Sequence, residues 1–250
     1  MSLVTSAATS KSVLNGLPAM ISVIVPTLNE AQLLPGTLRR IQANNIPHEI
    51  LVVDGGSMDE TVVLATGLGA RVLVVPRPGR AVQMNLGARN AGGSIFLFLH
   101  GDTWIGSETL LQVENALCQP RVVGGGFARR FQSPSLVLRL TCWIGEWRSR
   151  CFGWFFGDQG IFARRTMFEQ MGGFRELPSF EDVDFSRRMA RAGRVVTLRS
   201  QVVSSARRFS ARGPLATTVS DVWLTVRYFA GADPRRLASE RKPGSGAPGQ

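Results

Sequence analysis

The sequence predicts an α/β fold with a mostly parallel sheet and helices on both faces. Short runs of Val, Ile and Leu alternate with amphipathic helical patterns through the first half of the chain. Strands so uniformly apolar are typical of parallel sheets that are covered on both sides. Polar and Gly-rich residues follow each apolar run. This places them at the carboxyl edge of the sheet, where folds of this class bind ligands.

The first half contains the regular strand and helix patterns. Four strands are predicted there, at residues 21–25, 50–53, 72–75 and 95–99. The helical patterns begin at Glu30 with Asn29 as N-cap, at the capping-box sequence 57–60, at residue 81 and near Ser107. Each helix lies between or after strands, as crossover connections in a parallel sheet require.

The second half is less regular. A strand with several glycines is predicted at 121–131, and a segment rich in Trp, Phe and Arg follows at 135–156. Glu181 and Asp182 open a helix, residues 195–205 are extended, and a last helix covers about 215–230. No linker or repeat separates the two halves, so we predict one domain over 20–235, with a flexible lead at 1–19 and a flexible tail at 236–250.

Composition narrows the class of protein. The chain has 250 residues, of which 44% are hydrophobic and 19% charged, which is ordinary for a globular protein. Its net charge of +11 favours an anionic partner such as nucleic acid, anionic lipid or a phosphorylated substrate. Three cysteines without a CxxC pair exclude a disulfide framework and make a structural zinc site unexpected. We therefore predict a reduced, cytoplasmic location, without a signal peptide or a membrane span.

Three residues at strand ends have both a functional and a structural interpretation. Asp54 can accept hydrogen bonds from a nucleoside, or can form a turn. Asp102 suits a hard divalent ion shared with substrate phosphates, or a helix cap. His100 could be a second ligand, although a histidine after an apolar strand is more often part of the hydrogen-bonded structure.

Three charged sites elsewhere have similar alternatives. Arg80, at the start of a helix, fits a phosphate site or a solvated turn. The Glu181–Asp182 pair fits a helix N-cap favoured by the helix dipole, or a carboxylate general base. Arg207 and Arg208 fit a clamp over a diphosphate, or two solvated charges.

These motifs, taken in order, resemble one enzyme family. Residues 22–30 resemble the opening of the family 2 glycosyltransferases, and residues 54–61 resemble their second signature. Residues 79–88 and 98–103 resemble a bacterial branch described as radical-SAM/selenodomain-associated transferases. The match continues at 157–160 and 181–188, so that it covers about residues 20–235.

The resemblance implies a GT-A fold, a nucleotide-diphosphate sugar donor and an inverting mechanism. It implies a nucleotide-sugar half at 20–118 and an acceptor half at 119–235, with Asp182 as the general base. The donor site would comprise Pro26, Thr27, Glu30, Asp54, Gly55, Arg80, Asn85, Asp102, Arg207 and Arg208. The acceptor side would comprise Asp158, Gln159 and Glu181.

The resemblance also implies Mg²⁺ or Mn²⁺ on the diphosphate, held by Asp102 with His100 as a candidate second ligand. Because the family's Asp-x-Asp motif reads His100-Gly101-Asp102 here, strict metal dependence stays open. The signature of processive polysaccharide synthases is absent from the sequence, so we expect transfer of one sugar.

The acceptor, the sugar and the nucleotide are not named by the sequence, although a UDP-sugar is expected. The segment 135–156 is expected to cover the acceptor pocket or to lie on an anionic membrane surface, and a plain buried helix is the alternative. Two other classes stay open: a nucleic-acid-binding module and a sugar nucleotidyltransferase. Scattered arginines without a known recognition motif argue against the first, and a missing phosphate loop argues against the second.

Overall fold

The computed structural model describes residues 13–14, 17–18, 20–77, 79–209 and 213–240. Two short antiparallel strands, β1 (Val13–Leu14) and β2 (Leu17–Pro18), precede the main body. The rest of the predicted flexible lead lies outside the described residues, as does the end of the predicted tail.

The main body is an eight-stranded sheet among the described residues. Its strands are β3 (Ile21–Thr27), β4 (His48–Asp54), β5 (Arg71–Val74), β6 (Ile95–Phe98), β7 (Thr103–Trp104), β8 (Val122–Phe131), β9 (Ile161–Arg164) and β10 (Arg194–Ser204). The strand order is β5-β4-β3-β6-β9-β8-β10-β7. Strand β9 runs antiparallel between β6 and β8, and β7 runs antiparallel to β10; the other pairs are parallel. The prediction of a mostly parallel α/β sheet is confirmed.

The helices lie on both faces of this sheet. They are α1 (Leu34–Gln42), α2 (Thr61–Gly67), α3 (Arg80–Asn90), α4 (Thr109–Leu117), α5 (Leu136–Phe152), α6 (Arg165–Gln170), α7 (Glu181–Ala192), α8 (Pro214–Phe229) and α9 (Pro234–Glu240). Alternate residues of β3 point to opposite faces: Val23 and Val25 join the core under α1, α2 and α4, while Ile24 joins the core under α3, α6 and α7. Full burial of each such side chain stabilises the fold by roughly 1.5–3 kcal/mol.

Several predicted boundaries are wrong by a few residues. Helix α1 begins at Leu34 rather than Glu30, because Asn29 has a left-handed backbone (φ 53°) and its side-chain oxygen accepts a hydrogen bond from the Met58 amide (2.9 Å) instead of capping a helix. The predicted capping box at 57–60 does not form. Asp59 instead accepts a hydrogen bond from the Thr61 amide (3.0 Å), which starts α2 four residues later.

Two further elements differ from the expectation. Helix α4 begins at Thr109 rather than near Ser107. Residues 236–240, which were predicted to start a flexible tail, form most of α9, and Leu237 is buried there against Phe180 and Val183. This apolar contact holds the chain on the body beyond the predicted end of the domain.

Helix α5 is not the plain buried helix that was one alternative for 135–156. Only Leu138, Gly145 and Ser149 are buried among its 17 residues. Six large apolar side chains of α5 and six of α8 are exposed, including Trp143, Trp147 and Trp223. Because α5 packs against α8, these side chains form a largely apolar surface, which we call the α5–α8 face.

Candidate active site

A cavity of about 750 Å³ opens at the carboxyl edge of the sheet. Its wall comes from the loops after β3 and β6, from α5 and α8, and from the starts of α3 and α7. The predicted site residues in this wall are Pro26, Glu30, Arg80, His100, Asp102, Asp158, Glu181, Asp182, Arg207 and Arg208. The fold therefore brings together residues that are up to 182 positions apart in the chain.

Glu30, Asp102 and Arg207 form a charged cluster on one side of the cavity. Arg207 forms an ion pair with Glu30, and its NH2 group lies 3.9 Å from Oδ2 of Asp102. Burial raises the pKa of Glu30 to about 7, against the opposing effect of Arg207. Oε2 of Glu30 is buried and has no hydrogen-bond partner in the structure. The cluster therefore keeps an acceptor atom beside Asp102 that a ligand could use.

The Arg207–Arg208 pair does not form a free anion clamp. Arg207 contacts the two acidic side chains just described, and Arg208 forms an ion pair with Asp221 of α8. Both charges are already compensated, so any diphosphate at this site would have to compete with carboxylates.

His100 lies between the two sides of the cavity. Burial and the nearby Arg80 hold its pKa below the ordinary value, although Asp102, Asp158 and Asp182 act in the opposite direction. A Cβ atom at Gly157 would lie only 2.5 Å from Nε2 of His100 and 3.3 Å from Oδ2 of Asp182. Glycine at 157 therefore allows the imidazole and the Asp182 carboxylate to approach the same backbone.

Asp182 lies in the first turn of α7, in the cavity wall. Its Oδ2 accepts a hydrogen bond from the Gly157 amide (2.5 Å), and its Oδ1 accepts one from the Val183 amide (2.7 Å). The positive end of the helix dipole favours the ionised carboxylate here. A carboxylate has about four lone-pair sites, so two remain for a ligand. Its neighbour Glu181 is buried and lies 3.8 Å from Arg80.

Five predicted site residues lie outside the cavity wall, and Thr27, Asp54 and Gly55 are three of them. Asp54 is 1% exposed and accepts hydrogen bonds from the Gly56 and Ser57 amides (2.8 and 2.7 Å) and from the Ser57 hydroxyl (2.5 Å). Thr27 also donates to Asp54, over 3.4 Å. In this structure Asp54 forms the turn after β4, which is the structural alternative for that residue.

Asn85 and Gln159 are the other two. Asn85 donates to the carbonyl of Phe174 (2.8 Å) and accepts from its amide (2.9 Å), which fixes a loop behind the cavity. Gln159 is buried and donates to the carbonyl of Phe127 (3.1 Å) while accepting from Arg148 (2.7 Å). In this structure both amides bind protein groups, so the predicted ligand contacts of Asn85 and Gln159 stay predictions.

Two arginines in the cavity wall were not predicted. Arg129 of β8 forms an ion pair with Asp158, and burial of Asp158 is outweighed by this guanidinium, so that the pKa of Asp158 lies below its ordinary value. Arg148 of α5 lies over the ring of Phe156, 3.9 Å from its centroid. The signal in the sequence was an arginine inside an otherwise apolar strand or helix. The high arginine content hid it.

Among the residues that the structure describes, no group of three or more His, Cys, Asp or Glu side chains is arranged to hold a metal ion. These described residues form no helix that is long and apolar enough to cross a membrane.

Comparison with known proteins identifies the family. Residues 22–177 match the model of glycosyl transferase family 2. The chain belongs to this family. This decides between the three classes that the sequence left open, since neither a nucleic-acid-binding module nor a nucleotidyltransferase accounts for the match.

Relatives and solved structures agree with this assignment. The glycosyltransferase is 28% identical over 220 residues to a PGL/p-HBAD biosynthesis glycosyltransferase of Mycobacterium bovis, covering 81% of each chain. It also resembles the mannosyltransferase PcManGT from Pyrobaculum calidifontis, solved with GDP-Man and Mn²⁺ (TM-score 0.65, 22% identity, 88% of this chain and 67% of that chain). A third likeness is to S. aureus TarS 1-349 with UDP-GlcNAc (TM-score 0.59, 17% identity, 88% and 71%). The predicted GT-A fold is confirmed.

Proposed function

We propose that this glycosyltransferase moves one sugar from a UDP-sugar to a hydroxyl group of an acceptor, with inversion at the anomeric carbon. One observation carries the proposal: the cavity wall holds the Glu30–Asp102–Arg207 cluster and also Asp182, with His100 under the influence of both aspartates. The first group suits a divalent ion shared with the diphosphate, and Asp182 suits a base. Structural neighbours that bind UDP-GlcNAc and GDP-Man support a nucleotide-sugar donor.

In this proposal Asp182 removes the acceptor's proton. As the acceptor oxygen forms its bond to the anomeric carbon, the bond from that carbon to the diphosphate breaks, and the proton goes to the Asp182 carboxylate. The Gly157 amide fixes the orientation of that carboxylate. A sugar hydroxyl is a poor nucleophile until a base takes its proton. The base therefore lowers the free energy of the transition state rather than that of the bound acceptor.

The leaving diphosphate gains negative charge, which nearby cations stabilise. Arg207, which contacts Glu30 and Asp102, and Arg80, which acts on His100, supply this charge in the proposal. Arg208 contributes only if it leaves Asp221. Pro26 lies in the wall where a nucleoside would enter, while Thr27, Asp54 and Gly55 would shape the loop behind it.

A divalent ion fits the donor side. Asp102 and the unpartnered Oε2 of Glu30 offer two carboxylates. Mg²⁺ commonly uses only one or two protein carboxylates and completes its shell with phosphates and water, so a three-residue cluster is not required. When bound, such an ion would stabilise charge on the diphosphate. The family and a neighbour with Mn²⁺ support this assignment.

A donor screen tests the proposal. UDP-sugars and GDP-mannose are offered with and without Mn²⁺, and release of UDP or GDP is measured. We expect a UDP-sugar to be used, with activity lowered at least tenfold in Asp102→Asn. Glu108→Gln is the matched control, since Glu108 is exposed and lies outside the cavity wall. Release of pyrophosphate, or equal activity in the two variants, would contradict the proposal.

Two finer assignments remain proposals. The motifs at 79–88 and 98–103 support membership of the radical-SAM/selenodomain-associated branch. The exposed tryptophans of the α5–α8 face, with Arg139 and Arg150 exposed beside them, support contact with an anionic membrane surface on the cytoplasmic side. Flotation with vesicles of anionic lipid should recover the protein at low salt. Flotation equal to that with neutral vesicles would contradict the membrane assignment.

A further inference from the structure

Arg148 is a partly buried cation that has no carboxylate in ion-pair contact. Its Nε donates to the carbonyl of Trp154 (3.1 Å) and its NH2 donates to Oε1 of Gln159 (2.7 Å). Within the described parts of the chain, no carboxylate lies within 4 Å of its guanidinium. Both hydrogen bonds go to neutral oxygens, so they position the charge but do not neutralise it.

A second guanidinium lies close by. Gly145 of α5 would place a Cβ atom 3.7 Å from NH2 of Arg129 and 4.0 Å from NH2 of Arg148, so both groups reach the space above this glycine. Burial and repulsion from Arg129 lower the pKa of Arg148 to about 10, although Asp158 and Asp182 act in the opposite direction. Asp158 is in ion-pair contact with Arg129, so Arg148 has no carboxylate in direct contact. A partly buried charge in this position is stabilised when an anion joins it.

The cavity wall beside these arginines is apolar and leads outwards. Ile144 of α5 and Val222 and Val226 of α8 line the cavity, yet they are 48%, 55% and 54% exposed. They are therefore part of the α5–α8 face as well as of the cavity. An apolar path thus connects Arg148 with the exposed tryptophans.

We propose that the acceptor is an amphiphile whose anionic head group binds at Arg148 and Arg129 and whose apolar chain lies along the α5–α8 face. This proposal rests on the proposed glycosyl transfer and names its acceptor class. A phosphate and a carboxylate share the chemistry that the guanidinium groups recognise, since both accept paired N–H donors. The apolar chain replaces water on Ile144, Val222 and Val226, which adds affinity in proportion to the area covered.

The donor's diphosphate is the competing anion for this site. It is placed instead with Asp102 and Arg207, which come from the loops after β6 and β10. Arg129 and Arg148 come from β8 and α5. Separate substitutions on the two sides therefore distinguish the two anions.

Binding of model amphiphiles tests the proposal without requiring turnover. Dodecyl phosphate, dodecanoate, dodecyltrimethylammonium and inorganic phosphate are titrated below their aggregation limits, with tryptophan fluorescence and calorimetry as readouts. We expect both anionic amphiphiles to bind at least tenfold more tightly than the cationic amphiphile or inorganic phosphate. Arg148→Gln should weaken dodecyl phosphate binding about tenfold, because a charge-assisted hydrogen bond is lost. Arg150→Gln, which removes an exposed arginine of the same helix, should not.

A second pair of variants guards against misfolding of Arg148→Gln. Val222→Asn alters the apolar path and should weaken dodecyl phosphate binding several-fold. Val63→Asn, at an exposed valine of α2, should not. UDP affinity should be unchanged in all four variants, which separates this result from the donor side. Equal binding of dodecyl phosphate by Arg148→Gln and Arg150→Gln, or equal binding of dodecyl phosphate and inorganic phosphate, would overturn the proposal. If the unsubstituted protein does not bind UDP, that result would instead count against the proposed function.

Discussion

The two halves of this glycosyltransferase use their polar side chains differently. In the proposed donor half, at residues 20–118, Asp54 is satisfied by its own turn and Gln83 donates to the carbonyls of Thr27 and Val53 (2.8 Å each). In the proposed acceptor half, Arg148 has no carboxylate in ion-pair contact, and Nε of Arg129 and Oδ1 of Asp158 are buried without hydrogen-bond partners. Asp54 and Gln83 therefore hold loops in place, while Arg129, Arg148 and Asp158 keep capacity for a ligand.

Substitution of Asp182, the proposed base in the second half, should have the largest effect on activity. Asp182→Asn keeps the size of the side chain and one of its two accepted hydrogen bonds but removes its basicity, so kcat for sugar transfer should fall by about 10²–10⁴. Affinity for UDP, measured by calorimetry, should be nearly unchanged. Asp184→Asn is the control: it removes an ion pair with Arg188 on the same helix, outside the cavity wall. Turnover of Asp182→Asn at the rate of the unsubstituted protein would place the base elsewhere, with Glu181 and Asp158 tested next.

The partly buried Arg129–Asp158 pair, whose side chains are 11% and 21% exposed, tests the contrast at the level of stability. Asp158→Asn leaves the Arg129 guanidinium without its anion, so the free energy of unfolding should fall by about 3–5 kcal/mol. Glu176→Gln removes the partner of Arg77 in an ion pair whose side chains are 69% and 53% exposed, and should change it by about 1 kcal/mol or less. Urea denaturation at pH 7 measures both. Similar losses in the two variants would mean that the Arg129–Asp158 pair is effectively solvated.

Substitution of Asp54 tests whether this residue of the proposed donor half only holds its turn or also contacts the nucleoside. Asp54→Ala and Ser57→Ala both remove hydrogen bonds from the turn after β4, and each should lower the free energy of unfolding by about 1–3 kcal/mol. Only Asp54→Ala also removes the carboxylate that could contact the nucleoside. If that predicted contact exists, the binding free energy of UDP becomes less favourable by about 1–3 kcal/mol in Asp54→Ala alone. Equal UDP affinity of the two variants in calorimetry would leave Asp54 with the turn as its role.

Glu30 is one exception in the proposed donor half, because its Oε2 is buried without a hydrogen-bond partner. We expect it to give the smallest effect, seen as a pH dependence of stability. Its pKa is about 7 in the folded protein, against an ordinary value of 4.5. The folded state therefore binds more protons than the unfolded state between these values, and stability falls as pH rises from about 4.5 through 7. In Glu30→Gln this decline should be weaker, by about 1–2 kcal/mol between pH 5 and 8 after allowance for solvent screening.

Denaturation curves of both proteins, recorded in EDTA at several pH values, measure this difference. Glu108→Gln serves as the exposed control and should follow the unsubstituted protein. A Glu30→Gln profile parallel to that of the unsubstituted protein would contradict the raised pKa.

Much of the fold follows from the sequence because its signals are local. The runs that form β3, β4 and β6 and the pattern of α7 each lie within a dozen residues, and they were predicted almost to their ends. The antiparallel insertion of β9 between β6 and β8 depends on pairing between Phe98 and Ile161, far apart in the chain. No local pattern reports such pairing.

The residues of the candidate site could likewise be predicted only where a local motif contains them. Asp102 and Asp182 follow local motifs, and the cavity contains both. Asn85 and Gln159 also stand in motifs, but their amides bind backbone groups 89 and 32 residues away, which spacing along the chain does not show. Arg129 and Arg148 were missed for the same reason, since a charge becomes unusual only when the folded chain removes water from it.

The short strand β7 has a consequence for synthesis on the ribosome. Thr103 and Trp104, directly after Asp102, pair with Ser204 and Val203, and the Ser205 amide donates to the Asp102 carbonyl (3.1 Å). A nascent chain can therefore complete β3, β4 and β6 early, while the loop that carries Asp102 waits for a partner made about a hundred residues later. The donor side of this enzyme becomes fully ordered only when almost the whole domain has left the exit tunnel.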